Sequence, residues 1–283
     1  MPTFRLQKVL KSASFRILLI VYIIYKYNLK ANHQFKPKPV QGFRRAPSSR
    51  ITHIIFRMAP PLFIVSAAWR QAYPGACAGV LAMRDLANPR DHPALTARRA
   101  LVEQELRERY ASLDRPVLAA LPILRAYGAY YRRFKKTYHV QLQLESITQG
   151  KPIPSISALV TAMFMAELKN QLLTAGHDLD AVQAPVTLDV ATGHEMYILL
   201  NGQEETAKSG DMLMRDGLGV ISTVIYGPDR RTRLQAETRR ALFTVYAPLG
   251  VGVEAVARHL EDLRDNVHLF SPSAAVELME VYD

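Results

Sequence analysis

The sequence predicts an α+β domain, on three observations. Helical periodicity is concentrated between 94 and about 174. Strand-like runs separated by turn residues fill 186–246, and one more helical pattern follows at about 253–265. Helices followed by strands, rather than strict alternation, point to a mostly antiparallel sheet packed with helices.

With 283 residues, 49% hydrophobic and 22% charged, the chain can bury a sizeable core. The formal net charge of +11 suggests a nucleic-acid partner, but 12 of the 36 Lys and Arg and none of the 25 Asp and Glu lie in residues 1–57. The rest carries 24 basic against 25 acidic residues, so any RNA affinity of the folded part must come from a local patch. Residues 1–57 include a nine-residue apolar run at 17–25, too short at ~1.5 Å per residue to cross a ~30 Å hydrocarbon core. They read as a disordered basic leader or a start assigned upstream of Met58, as an interfacial anchor, or as a targeting segment. A single domain is expected at 58–283, without stable membrane insertion. The one cysteine, Cys77, excludes an internal disulfide and a multi-cysteine metal site, and fits a reducing, cytoplasmic setting. Surrounded by Ala76, Ala78, Gly79 and Val80, it reads as a small core residue.

Residues 62–65 and 76–83 read as short buried strands around the turn Tyr73-Pro74-Gly75. Asn88-Pro89 and His92-Pro93 mark a loop. A helix is expected over 94–110, with Leu95, Val102, Leu106 and Tyr110 inward and Arg98, Arg99, Glu103, Arg107 and Glu108 on a solvated face. Residues 127–138 interleave Tyr127, Tyr130, Tyr131, Phe134 and Tyr138 with Arg132, Arg133, Lys135 and Lys136. Cations can neutralise phosphates and aromatic rings can stack on unpaired bases, so this is the candidate RNA patch. The alternative is a helix whose aromatic stripe packs inward. Residues 140–147 alternate like a strand yet can continue a helix. Gly150, Pro152 and Pro154 break the chain, Ser155 is expected to cap a helix running to about 174, and Gly176 to end it. That leaves His177 and Asp178 at the helix mouth. Strands are expected at 186–190, 195–200, 211–214, 220–226 and 241–246. There is no phosphate-loop, dinucleotide, zinc-protease or nucleophile-elbow motif, and no cofactor or metal is expected.

The ordered series Arg132-Arg133-Phe134, Gly150-Lys151-Pro152-Ile153-Pro154-Ser155, Ala166-Glu167-Leu168-Lys169-Asn170, Ala175-Gly176-His177-Asp178, Leu200-Asn201-Gly202-Gln203-Glu204, Gly210-Asp211 and Tyr226-Gly227-Pro228-Asp229 resembles the B3/B4 domain of the phenylalanyl-tRNA synthetase beta subunit, in its freestanding bacterial form. The resemblance covers roughly 66–265. It implies an α+β fold, a helix for 138–147, a pocket between helices and β layer, and tRNA, aminoacylated, as partner. In that family the domain hydrolyses tyrosine wrongly attached to phenylalanine tRNA. A family histidine falls closest to His177-Asp178, and a family glutamate that senses the tyrosine hydroxyl falls near the shorter Asp229.

Hydrolysis of an aminoacyl ester needs a positioned water and a stabilised oxyanion, not a covalent nucleophile. The expected catalytic group is His177, with Asp178 or Glu167 fixing it. Tyr138, Glu145, Lys169, Asn170, Asn201, Gln203 and Asp229 are the expected substrate-binding residues, and Arg132, Arg133, Lys135, Lys136 and Arg230 the expected RNA-binding ones. Taken singly, His177 reads as a helix-end histidine and Asn201-Gly202 as a hairpin turn. A freestanding deacylase, a noncatalytic tRNA- or RNA-binding module, and a small-molecule enzyme or binder are the three function classes left open. No aminoacylation core is visible, so the chain is not expected to act as a ligase by itself.

Overall fold

The computed structural model describes residues 61–283; the leader read at 1–57 lies outside the described residues. Among the described residues the fold is α+β, with mixed sheets packed with seven α-helices. A four-stranded antiparallel sheet has the order β11-β2-β10-β3, built from Ala275–Tyr282 (β11), Cys77–Arg84 (β2), Ala241–Ala247 (β10) and Thr174–Asp178 (β3). A five-stranded sheet has the order β1-β4-β7-β8-β9, from Phe63–Val65 (β1), Val186–Val190 (β4), Met212–Asp216 (β7), Gly219–Thr223 (β8) and Gly227–Pro228 (β9). Only its β1–β4 pair is parallel. Met196–Ile198 (β5) and Glu204–Thr206 (β6) form a separate hairpin.

The helices are α1 (Ala67–Ala72), α2 (Pro93–Tyr110), α3 (Arg115–Ala120), α4 (Pro122–Arg133), α5 (His139–Thr148), α6 (Ala158–Asn170) and α7 (Val253–His268). As expected, α2 buries Leu95, Val102, Leu106 and Tyr110. Glu103, expected on its solvated face, is instead buried. Its carboxylate accepts the Ile153 N–H at 2.8 Å and holds the proline-flanked connector against the helix. Helix α7 packs over β2, where a Cβ on Gly79 would come within 2.5 Å of Val256 Cγ1. Only glycine admits this close approach.

Three boundaries differ from the sequence reading, for one physical reason. The helix expected to start at Ser155 and run to about 174 begins after Ser157. Asn88, from a distant loop, caps it by accepting the Leu159 N–H at 2.9 Å. It ends at Asn170, because Gln171 turns left-handed (φ 61°). The following residues, Thr174–Asp178, then pair with β10 as an edge strand, so Gly176 is a strand residue and His177 is not at a helix mouth. Sheet pairing with a strand nearly seventy residues later overrides the local helical signal. Residues 140–147 are helical, as the family resemblance implies. Among the described residues no helix is long and apolar enough to cross a membrane.

Candidate functional site at a three-sheet junction

The short segment 227–233 touches all three sheets. Gly227–Pro228 closes the five-stranded sheet, Asp229 bridges Leu199 of the hairpin arm, and Arg233 bridges His177 on the edge of the four-stranded sheet. Backbone bonds from Asp229 N to the Ile221 carbonyl (2.8 Å), from Arg230 N to the Ile198 carbonyl (2.8 Å) and from Asp178 N to the Thr232 carbonyl (2.6 Å) secure it. Residues far apart in sequence thereby meet.

His177 is fully buried, and its Nδ1 lies 2.8 Å from the Thr232 hydroxyl. That hydroxyl and the Thr232 N–H (3.1 Å) both donate to Asp229 Oδ1. With its proton committed to Asp229, the Thr232 oxygen accepts from Nδ1–H, which fixes the tautomer. Nε2 is then a bare lone pair, and it has no hydrogen-bond partner among the described residues. Burial, with help from the nearby Arg231 charge, pushes the His177 imidazole down to about 3, so it is neutral at physiological pH. Arg231 itself forks onto Asp216 through two bonds of 2.9 Å and stands 3.6 Å from Asp229 Oδ2. The ring is therefore an oriented neutral base. Because it is 0% exposed, proton transfer to a substrate requires the residues that cover it to move.

The other expected residues are distributed differently. Asp178 points away from His177, as adjacent strand residues do. It accepts from the Thr238 hydroxyl (2.7 Å) and from Asp180 N–H (3.1 Å). It therefore does not fix the imidazole. Glu167 does not either: it is buried at the C-terminal end of α6, accepts the Thr174 N–H at 2.9 Å, and is pushed up by burial to about 8. Lys169 and Asn170 both bond Asp262 of α7 (2.7 and 2.9 Å), while His259 sits 2.8 Å from the Thr174 hydroxyl. These groups join α6 to α7. Tyr138 stacks on Tyr127 (4.3 Å between centroids) and donates to the Gln171 carbonyl inside the core. Glu145 pairs with Arg115 at 3.2 Å. Asn201 and Gln203 are exposed and bond one another across the hairpin turn. Arg230 lies beside that turn, its Nη1 3.2 Å from where a Cβ on Gly202 would stand. The structure thus brings together His177, Asp229, Arg230 and the 201–203 turn, and separates from them Glu167, Lys169, Asn170, Tyr138 and Glu145.

The aromatic-basic segment splits by face. Tyr127, Tyr130, Tyr131 and Tyr138 are buried, so the stripe packs inward and these rings are not free to stack on bases. Arg132, Arg133, Lys135 and Lys136 are exposed. Lys135 is left-handed (φ 57°), with its N–H bonding the Arg132 carbonyl and the Lys136 N–H the Tyr131 carbonyl (3.0 and 3.1 Å). This is a helix terminus of the kind glycine usually makes, here occupied by lysine.

Sequence reading missed Thr232, Arg231, Asp216, Lys208 and Tyr226. Arg231-Thr232 directly follow Pro228-Asp229-Arg230, and that adjacency was the available signal. Asp211 is also more than a motif residue. Fully buried, it accepts the Tyr130 hydroxyl (2.5 Å) and the Ile225 N–H (3.0 Å), and burial pushes its carboxyl up to about 6.

No family model and no curated protein matches this chain. Among solved structures it is similar to an N-terminal fragment of the phenylalanyl-tRNA synthetase beta subunit from Pyrococcus horikoshii. The two are 14% identical with a TM-score of 0.39, over 76% of this chain and 49% of that one. The chain thus spans about half the length of that fragment, and a likeness of this size assigns no activity.

Proposed function

We propose that this protein is a freestanding, cytoplasmic B3/B4-type domain, residues 58–283 behind a basic leader, that binds tRNA. The observation that carries the reading is the outward set Arg132, Arg133, Lys135 and Lys136, none of them ion-paired among the described residues, at the end of a helix whose tyrosines face the core. Cations without carboxylate partners favour a polyanion, and the ordered motifs that resemble the synthetase domain make tRNA the natural one. Binding of tRNA by the full chain should weaken steeply with added salt. Salt-independent binding, or binding of free amino acids without tRNA, speaks for a small-molecule role instead.

A second reading, hydrolysis of a mischarged aminoacyl-tRNA, is favoured by one observation: the neutral His177 with its Nδ1 proton engaged and its Nε2 lone pair unpartnered. In this reading Nε2 takes a proton from the attacking water, Asp229 and Thr232 hold the ring, and Arg230 with the Asn201–Gln203 turn meets the substrate. A deacylation screen over mischarged tRNAs, with His177→Ala and Asp229→Ala beside the unaltered chain, tests it. No ester cleaved above background reduces the function to binding.

A further inference from the structure

We propose that Lys136, Lys208 and Tyr226 form a phosphate-binding subsite, occupied by one backbone phosphate of an RNA strand. It rests on the RNA-binding reading above and adds two residues, Lys208 and Tyr226, from outside the aromatic-basic segment.

Two ammonium groups from distant parts of the chain lie beside one side chain. Lys136 Nζ is 5.8 Å and Lys208 Nζ 5.7 Å from the Tyr226 ring centroid. The neighbouring Tyr226 side chain raises the Lys208 ammonium above the ordinary lysine value, with a weaker contribution from Glu205. Among the described residues Lys169 is the one ion-paired lysine, so neither Lys136 nor Lys208 has a carboxylate against it. Two ammonium groups beside one phenol, neither ion-paired, attract an anion. A phosphate offers several acceptor oxygens to two ammonium donors and a phenol hydroxyl, all charge-assisted bonds.

The segments that carry the three residues meet at one buried residue, Asp211. Asp211 accepts the hydroxyl of Tyr130 on α4, six residues before Lys136, and accepts the N–H of Ile225 next to Tyr226. Its own N–H donates to the Lys208 carbonyl at 2.9 Å. The Lys136 N–H is tied to Tyr131 (3.1 Å) and the Tyr226 N–H to the Thr223 hydroxyl (3.1 Å). The backbones are thus fixed before any ligand arrives, which lowers the ordering cost of binding.

The test is the salt dependence of tRNA binding by full-length K136Q, K208Q, the K136Q/K208Q double variant, Y226F and, as a control, R90Q/R258Q at exposed cations elsewhere. If both lysines serve one phosphate, the double variant should lower the slope of log K against log salt by about 0.7–0.9. Y226F should weaken binding several-fold with the slope unchanged, and the control should do neither. An unchanged slope, a drop of about twice that size, or an equal drop in the control overturns the subsite. Acetylation footprinting in inorganic phosphate separates the two failures. Protection of Lys136 and Lys208 without tRNA binding overturns the RNA reading, whereas tRNA binding without protection at either lysine overturns the subsite alone.

Discussion

His177 Nδ1 and the Thr232 hydroxyl stand 2.8 Å apart, and the bond can run in only one direction, because the threonine proton is already held by Asp229. That relation fixes the tautomer of the one histidine at the junction. Thr232→Val should leave the buried Nδ1–H without an acceptor, while Asp229 loses the hydroxyl but keeps the backbone N–H of residue 232, and should cost about 1–3 kcal/mol for the polar group left unmatched. Denaturant unfolding measures the loss, and Thr232→Ser should recover most of it. Full stability in the valine variant contradicts the relay.

Stability should pass through a maximum near pH 6.5. Burial lowers His139, His177 and His259 to about 4, 3 and 4, so the stability they contribute is present above their unfolded value and lost as pH falls. Burial raises Glu167 and Asp211 to about 8 and about 6, so theirs is present at low pH and lost as pH rises through those values. Between pH 6.5 and 8 Glu167 alone of these titrates, at about 1.4 kcal/mol per pH unit, while below 6.5 the three histidines outweigh the two acids. Glu167→Gln should flatten the alkaline limb and steepen the acid limb, because Glu167 also opposes the histidines between about pH 4.5 and 6.5. Chemical denaturation from pH 5 to 9 is the measurement.

Much of this architecture is legible in the sequence. The apolar run of β2, the amphipathic α2, the strands around 186–246 and α7 all carry local signals, and their boundaries agree to within a few residues. What is illegible depends on partners distant in the chain. Thr174–Asp178 is a strand only because β10 lies beside it, α6 starts where Asn88 caps it, and Glu103 is buried only because the Ile153 connector folds over it. The same holds for the candidate site. His177 and Asp229 stand out as residue types, but their joining element, Thr232, has no signal apart from sitting three residues past Asp229. The tyrosines of 127–138 are compatible with stacking or with a core until their burial is known.

Glu103→Ala should cost about 1–3 kcal/mol despite lying on a helix face that reads as solvated, because it leaves the buried Ile153 N–H without an acceptor. A change within about 0.5 kcal/mol, the range of an ordinary surface substitution, would show the connector to be held by other contacts.

Lys135→Gly should raise stability by about 1 kcal/mol, since glycine adopts the left-handed conformation that lysine disfavours. The same change removes a cation from the patch and should weaken tRNA binding. A variant that is both more stable and a poorer binder marks a residue retained for its charge, whereas unchanged binding removes Lys135 from the interface.

The most direct measurement of the central claim is the tRNA affinity of the full chain carrying R132Q/K135Q/K136Q, followed across salt concentrations beside the unaltered protein. The account predicts a loss of at least about tenfold near physiological salt and a slope shallower by about 2–3, as expected when up to three phosphate contacts are removed. Affinity and slope equal to those of the unaltered chain would place RNA binding outside this patch and contradict the account.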